Sequence, residues 1–170
     1  MQTIRSSLAM TALVGLLVLF GTSAGASSTK TPETRAVQVF STTAPDGKGT
    51  VVISGAIADY GTSSALSNDY IITRIKLQHG TIEVNTSKLE QAETPSVNSA
   101  TCSYTFSGTA PITVVRGTGS YVGIKGTLTA TASGAGILAR LKNGKCQESE
   151  SSEPLFTIGT VQTSGTVTIS

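Results

Sequence analysis

His79 is the only histidine in the chain, so any nucleophile–histidine–acid triad would have to be assembled around it. It stands in LQHGT, between two alternating apolar runs. A tight hairpin is expected there, and a solvated imidazole in a turn needs no catalytic account. No GxSxG elbow, HExxH pair, Walker loop or dinucleotide-binding glycine pattern occurs. The glycines of GTGS at 117–120 are not followed by a helical pattern. They therefore lack the helix terminus that makes a phosphate site. Acid–base work would need positioned carboxylates. Asp59 continues the inward parity of Ile53 and Ile57, and Asp69 lies just before the next strand. Arg116 continues the parity of Ile112 and Val114, while Tyr104 is in phase with Cys102 and Phe106. On regular strands, Asp59 and Arg116 would face one mouth of the fold, and Tyr104 would add a hydroxyl. Asp59, Tyr104 and Arg116 are thus the candidate ligand-binding residues, and no residue is assigned as catalytic. The alternative is a structural ion pair and a core tyrosine, because one bulge reverses parity for the rest of a strand.

Metal and cofactor chemistry finds little to work with. Two cysteines, Cys102 and Cys146, and one histidine do not make a four-ligand zinc site. Glu148, Glu150 and Glu153 in QESESSEP read as a solvated loop. No metal or cofactor is expected. Asn85-Thr86-Ser87 is a glycosylation sequon.

The amino terminus bears on the cysteines. Arg5 precedes an apolar run from Leu8 to Phe20, and Ala24 and Ala26 then stand at the −3 and −1 positions of a small-residue cleavage site. Residues 1–26 read as a secretory signal peptide. The run is short for a membrane span and no basic stop-transfer cluster follows it. The protein is expected to be secreted, with no membrane span in its mature form. An exported chain with two cysteines favours a disulfide between them. Cys102 shares a face with Tyr104 and Phe106, and Cys146 follows the Asn143-Gly144 turn, so a bridge would tie that turn to the long strand.

These residues must be carried by strands. Of 170 residues, 18 are glycine, none is tryptophan, and 12 Lys and Arg nearly balance 10 Asp and Glu. Basic residues form no stripe, so neither nucleic acid nor an anionic membrane is an expected partner. Residues 27–34, SSTKTPET, read as a disordered lead-in, and 35–170 as a single domain. From Val37 onward apolar residues recur with period two, as in Val51/Ile53, Ile75/Leu77, Ile82/Val84 and Tyr104/Phe106. Turn residues separate the runs: PDGKG at 45–49, His79-Gly80 and Asn143-Gly144. SKLEQAETPSVN at 87–98 comes nearest to a helix, but Pro95 and a weak apolar face favour a loop or one short turn. The pattern predicts an all-β fold of about eight to ten antiparallel strands, a sandwich or a barrel. Residues 117–129, GTGSYVGIKGTLT, put four glycines into an otherwise alternating run. Gly117 and Gly119 suit a tight turn, Gly123 a bulge, and Gly126 a sharp inward bend. Strands that coil strongly to close a barrel use such devices, so a barrel is the expected form.

The run from Cys102 to Gly126, CSYTFSGTAPITVVRGTGSYVGIKG, resembles the core motif of the allene oxide cyclase and dirigent barrel superfamily. In that motif a strand enters a GTG-type turn, followed by an aromatic and a spaced glycine pair. Here these are Gly117, Thr118, Gly119, Tyr121, Gly123 and Gly126. GAIADYGT at 55–62, HGTIEV at 79–84 and the placing of the two cysteines resemble an exported, mainly actinobacterial group of that barrel type. The resemblance covers most of residues 36–170. It implies an eight-stranded antiparallel barrel with an apolar interior, in which 101–107 and 111–116 are one long bent strand. Characterised members are plant proteins that cyclise a fatty-acid epoxide or steer the coupling of phenoxy radicals, each holding an apolar substrate inside the barrel. Their polar site residues do not map one by one onto this chain, and the bacterial group carries no assigned activity.

Three function classes follow: a secreted barrel that binds a small apolar ligand, a filled barrel with a structural or interaction role in the cell envelope, and an enzyme of the cyclase or dirigent type. The first is preferred. Gly126, Ala130 and Ala132 are small at inward positions, and only four Phe and four Tyr occur in the whole chain to plug an interior. Oligomeric state is left open.

Overall fold

A computed structural model describes residues 33–44, 48–66, 71–148 and 154–169. The expected signal peptide, residues 27–32 of the lead-in, Asp69, Glu150, Glu153 and residues 45–47 of PDGKG lie outside these. The first strand, β1 (Glu33–Thr43), begins two residues before the expected domain boundary. It is followed by β2 (Lys48–Gly55), β3 (Asp59–Ala65), β4 (Ile72–Leu77) and β5 (Gly80–Asn85). A short helix α1 (Ser87–Ala92), an outlying strand β6 (Thr94–Asn98), and the long strands β7 (Ser103–Gly117), β8 (Lys125–Ile137) and β9 (Phe156–Ile169) complete the described chain. All pairings are antiparallel, in the order β5-β4-β3-β2-β1-β9-β8-β7-β6. A further pairing of β5 with the second half of β7 closes eight strands into a barrel. β6 pairs only with the first half of β7, outside the ring.

The local reasons are those of the alternating sequence. Val51 and Ile53 on β2, Ile75 and Leu77 on β4, and Ala110, Ile112 and Val114 on β7 are buried, while the residues between them face outward. Gln78 and His79 form the two-residue turn of the β4–β5 hairpin, in which Leu77 pairs with Gly80. The expected long strand is β7, which runs through 101–107 and 111–116 without interruption from Ser103.

Two segments depart from the expectation. Residues 87–98 form α1 and β6 instead of a loop. Leu89 buries α1 onto the barrel, a tertiary contact that a weak local pattern does not reveal. Pro95 is tolerated because β6 is an edge strand, where a missing N–H costs no ladder bond. The glycine-rich run is a turn before it is a strand. Residues 119–121 make a 3-10 turn, β8 starts only at Lys125, and Val122 points outward while Tyr121 is buried. Gly119, at φ 61°, sits in the left-handed region. Gly117 has another reason for lacking a side chain, since a Cβ there would lie 2.1 Å from the Tyr121 carbonyl oxygen. Gly123 lies in this turn with φ 80°, not at a bulge.

Cys102 and Cys146 form a disulfide with Cα atoms 5.3 Å apart, inside the usual range. Cys146 lies in an isolated antiparallel bridge with Arg140, across the Asn143-Gly144 turn. The bond thus ties that loop to the start of β7. No described helix is long and apolar enough to cross a membrane.

Candidate functional site

The barrel is hollow. A cavity of about 450 Å³ lies inside it, within the range of small-molecule pockets. Its walls are aliphatic: Val37, Ile53, Ile75, Val84, Ile112 and Leu128 contribute from six strands. The lining turns polar toward the end that carries α1. There Ser63 and Ser64 end β3, Thr73 begins β4, Thr157 and Thr160 begin β9, and α1 with its flanks adds Thr86, Leu89, Glu90 and Glu93. The antiparallel pairing brings the end of β3 and the starts of β4 and β9 to the same rim, and those ends carry hydroxyl side chains. The small inward residues on β8 play different parts. Ala132 lines the cavity, whereas Ala130 has 0% exposure and is not among the lining residues. Gly126 is pressed against β9, where a Cβ would lie 2.6 Å from the Thr166 carbonyl oxygen. Of the three, only Ala132 keeps space open.

Asp59 faces inward as parity predicts, but at the end opposite the polar rim. It begins β3 and is 6% exposed. Its Oδ1 accepts from the amides of Tyr60 at 2.7 Å and Gln78 at 3.3 Å. Its Oδ2 accepts from the His79 amide at 3.2 Å, lies 3.0 Å from His79 Nδ1, and accepts from the Tyr121 hydroxyl. Burial opposes ionisation of this carboxyl. The bonds from Tyr121, from the Tyr60 amide and from His79 together outweigh it and hold the group well below the usual carboxylate range. The same contact, added to burial, pushes the Tyr121 phenol upward. The cluster fastens the β4–β5 hairpin and the glycine-rich turn to β3. The His79 side chain remains 67% exposed, so the solvated-turn reading holds for most of the ring, while Nδ1 is engaged. Neither Asp59, His79 nor Tyr121 lines the cavity.

Arg116 does not join Asp59, and that expectation is corrected. Glu83 pairs with Arg116, and Val84 with Val114, so Val115 is an extra residue on β7. This bulge turns Arg116 from the inward to the outward face and hands the inward position to Gly117. On the outer face Arg116 meets Glu83, with Nε–Oε2 2.6 Å and Nη2–Oε1 3.0 Å. Arg74, opposite Glu83 on β4, adds Nε and Nη2 bonds of 3.0 and 2.8 Å to Oε1. Arg116 first, then Arg74, pull the Glu83 carboxyl down to about 2. Tyr104 lies beside the cavity, not in its lining. It stacks on Phe106 at 6.3 Å between centroids, and its hydroxyl bonds to that of Thr157. Phe106 and Thr157 themselves line the cavity.

The ligand-binding candidates are therefore dispersed: Asp59 at one end, Tyr104 near the other beside the lining residues Phe106 and Thr157, and Arg116 outside. Glu90 and Glu93 were not anticipated. They lie in the segment read as a loop, and no period-two signal placed them at the rim. No protein-family description, curated protein or solved structure matches the chain. Among the described residues no group of three or more His, Cys, Asp or Glu is placed to hold a metal ion.

Proposed function

We propose that this protein is a secreted barrel that binds a small, largely apolar molecule in its interior. The observation that carries the reading is the cavity of about 450 Å³ with aliphatic walls and a polar rim at one end only. An apolar cavity of this size forgoes the dispersion contacts a packed core would have. A ligand would restore them. The small Ala132 at a wall position, where a larger side chain would fill the space, supports the same reading. The likeness of the glycine motif to the allene oxide cyclase and dirigent barrels, and the signal-like residues 1–26, support the same reading.

The test is native mass spectrometry and solvent extraction of the protein purified from its own host, beside an Ala132→Phe variant that fills the cavity. A bound apolar molecule in the parent, lost in Ala132→Phe while the melting temperature is held or raised, is the expected result. An empty parent that also takes up no added apolar probe would overturn it. A melting temperature alone does not decide the matter, because filling a void stabilises an empty barrel too.

A further inference from the structure

The rim of the cavity, among the described residues, carries charge of one sign. Among the described residues that line it, the only ionisable ones are Glu90 and Glu93, and neither lysine, arginine nor histidine contributes. Lys88, on the same short helix, is exposed and outside the lining. Glu93 follows α1 and is half-buried. Its neighbour Glu90 receives a bond from the Thr86 hydroxyl at 3.4 Å, whereas no hydrogen bond or ion pair engages the Glu93 side chain among the described residues. Hydroxyls of Ser63, Thr73, Thr157 and Thr160 complete the rim.

We infer that the cavity selects an amphiphile whose apolar body enters the barrel and whose head, at the α1 rim, is a protonated amine or another hydrogen-bond donor, and not a carboxylate. The inference rests on the binding reading above and specifies its ligand. A carboxylate head would meet Glu90 and Glu93 in a partly desolvated mouth, where like charges repel more strongly than in water. An ammonium head would gain a partner in Glu93, and the rim hydroxyls would accept its remaining protons. Burial, and then the charge of Glu90, raise the Glu93 carboxyl above its ordinary value. The folded protein thus holds this group at a cost that a cationic head would relieve. The sign is checked directly. A carboxyl with a raised folded value favours the folded state when protonated, and that advantage is lost as pH rises through the shifted value. Glu93→Gln is therefore expected to fold and to melt at or above the parent temperature at pH 7.

The experiment displaces a fluorescent apolar probe, N-phenyl-1-naphthylamine, from the purified protein with dodecylamine, dodecanol and dodecanoate, each below its aggregation concentration at pH 7. Dodecylamine is expected to bind about tenfold more tightly than dodecanoate, with dodecanol between them, as one partly buried charge contact implies. Glu93→Gln should bring amine and carboxylate within about threefold of each other, while dodecanol changes little. Dodecanoate binding as tightly as the amine, or an amine preference unchanged in Glu93→Gln, overturns this inference and leaves the binding reading standing. Failure of the probe and of all three amphiphiles to bind overturns the binding reading, and this inference with it.

Discussion

Asp59 and Glu83 are both buried carboxylates, and different donors hold each of them ionised. Glu83 is matched by two guanidinium groups, Arg116 and Arg74. Among the described residues Asp59 meets no Lys or Arg and relies on amides, an imidazole and a phenol. Both carboxyls have folded values below their unfolded ones. Each therefore adds stability that is complete above the ordinary carboxylate range and is lost as pH falls through the shifted value. For Glu83 the window runs from about 4.5 down to about 2. The melting temperature of the parent should accordingly fall more steeply between pH 5 and pH 2 than that of Glu83→Gln. Equal slopes in the two proteins would show that the Arg74–Glu83–Arg116 cluster contributes nothing through its charge. Tyr121→Phe removes one donor from Asp59 and leaves the ring packing in place. A hydrogen bond to a charged group is worth about 1.5–3 kcal/mol, and urea unfolding should show a loss of that order. A smaller loss would mean that the Asp59 oxygens find a replacement donor.

The bulge in β7 decides which residues the cavity receives. Strand β7 must pair with β6 along its first half and with β5 along its second, so it bends between two partners. The extra residue, Val115, falls in the β5-paired part, and its side chain is 51% exposed. Deleting Val115 would restore strict alternation. Arg116 would then follow Val114 directly and stay on the outer face opposite Glu83, with Gly117 still inward. The expected outcome is a protein that keeps the Arg116–Glu83 pair but unfolds at lower urea, because the bend and added twist that the bulge gives β7 are lost. Substitution of Val115 by threonine, which keeps the residue count, should leave the fold intact. Should the deletion variant prove as stable as the parent, the bulge would be a passive irregularity. α1 matters for another reason. It is six residues long and has one buried anchor, Leu89, yet it carries or borders four of the residues at the cavity rim.

Closure of the barrel and the disulfide act on different parts of the molecule. The barrel closes through β5 and β7, and every buried side-chain polar atom among the described residues has a partner. The Cys102–Cys146 bond lies outside that ring and spans 44 residues of sequence. Restricting the unfolded chain over a loop of this length contributes at most roughly 4 kcal/mol. A Cys102→Ser, Cys146→Ser double variant should lose up to that amount in urea unfolding. It should retain probe binding in the cavity, since neither cysteine lines it. Loss of binding in a variant that is still folded would show that the loop and the cavity are coupled.

The all-β class, most strand positions, the His79 hairpin, the inward direction of Asp59 and the cysteine pairing were legible in the chain. Each depends on short-range alternation, on turn chemistry, or on a residue count so small that only one pairing exists. The hollow barrel was anticipated from small inward residues, but the reasoning was only partly right. Ala132 keeps space open, whereas Ala130 and Gly126 serve close packing. Other features emerged only when distant segments met. Tyr121 reaches Asp59 across 62 residues of sequence, and nothing local to either marks the contact. Residues 87–98 became helix and edge strand because the barrel offers Leu89 an apolar surface and β7 offers β6 a free edge. Arg116 lies outside because β7 accommodates an extra residue while pairing with β5. Alternation is a property of a single strand, and it reports which way a side chain points only until the ladder admits an unpaired residue. Where that residue goes is settled by the fit of two strands, which the sequence of one of them does not contain.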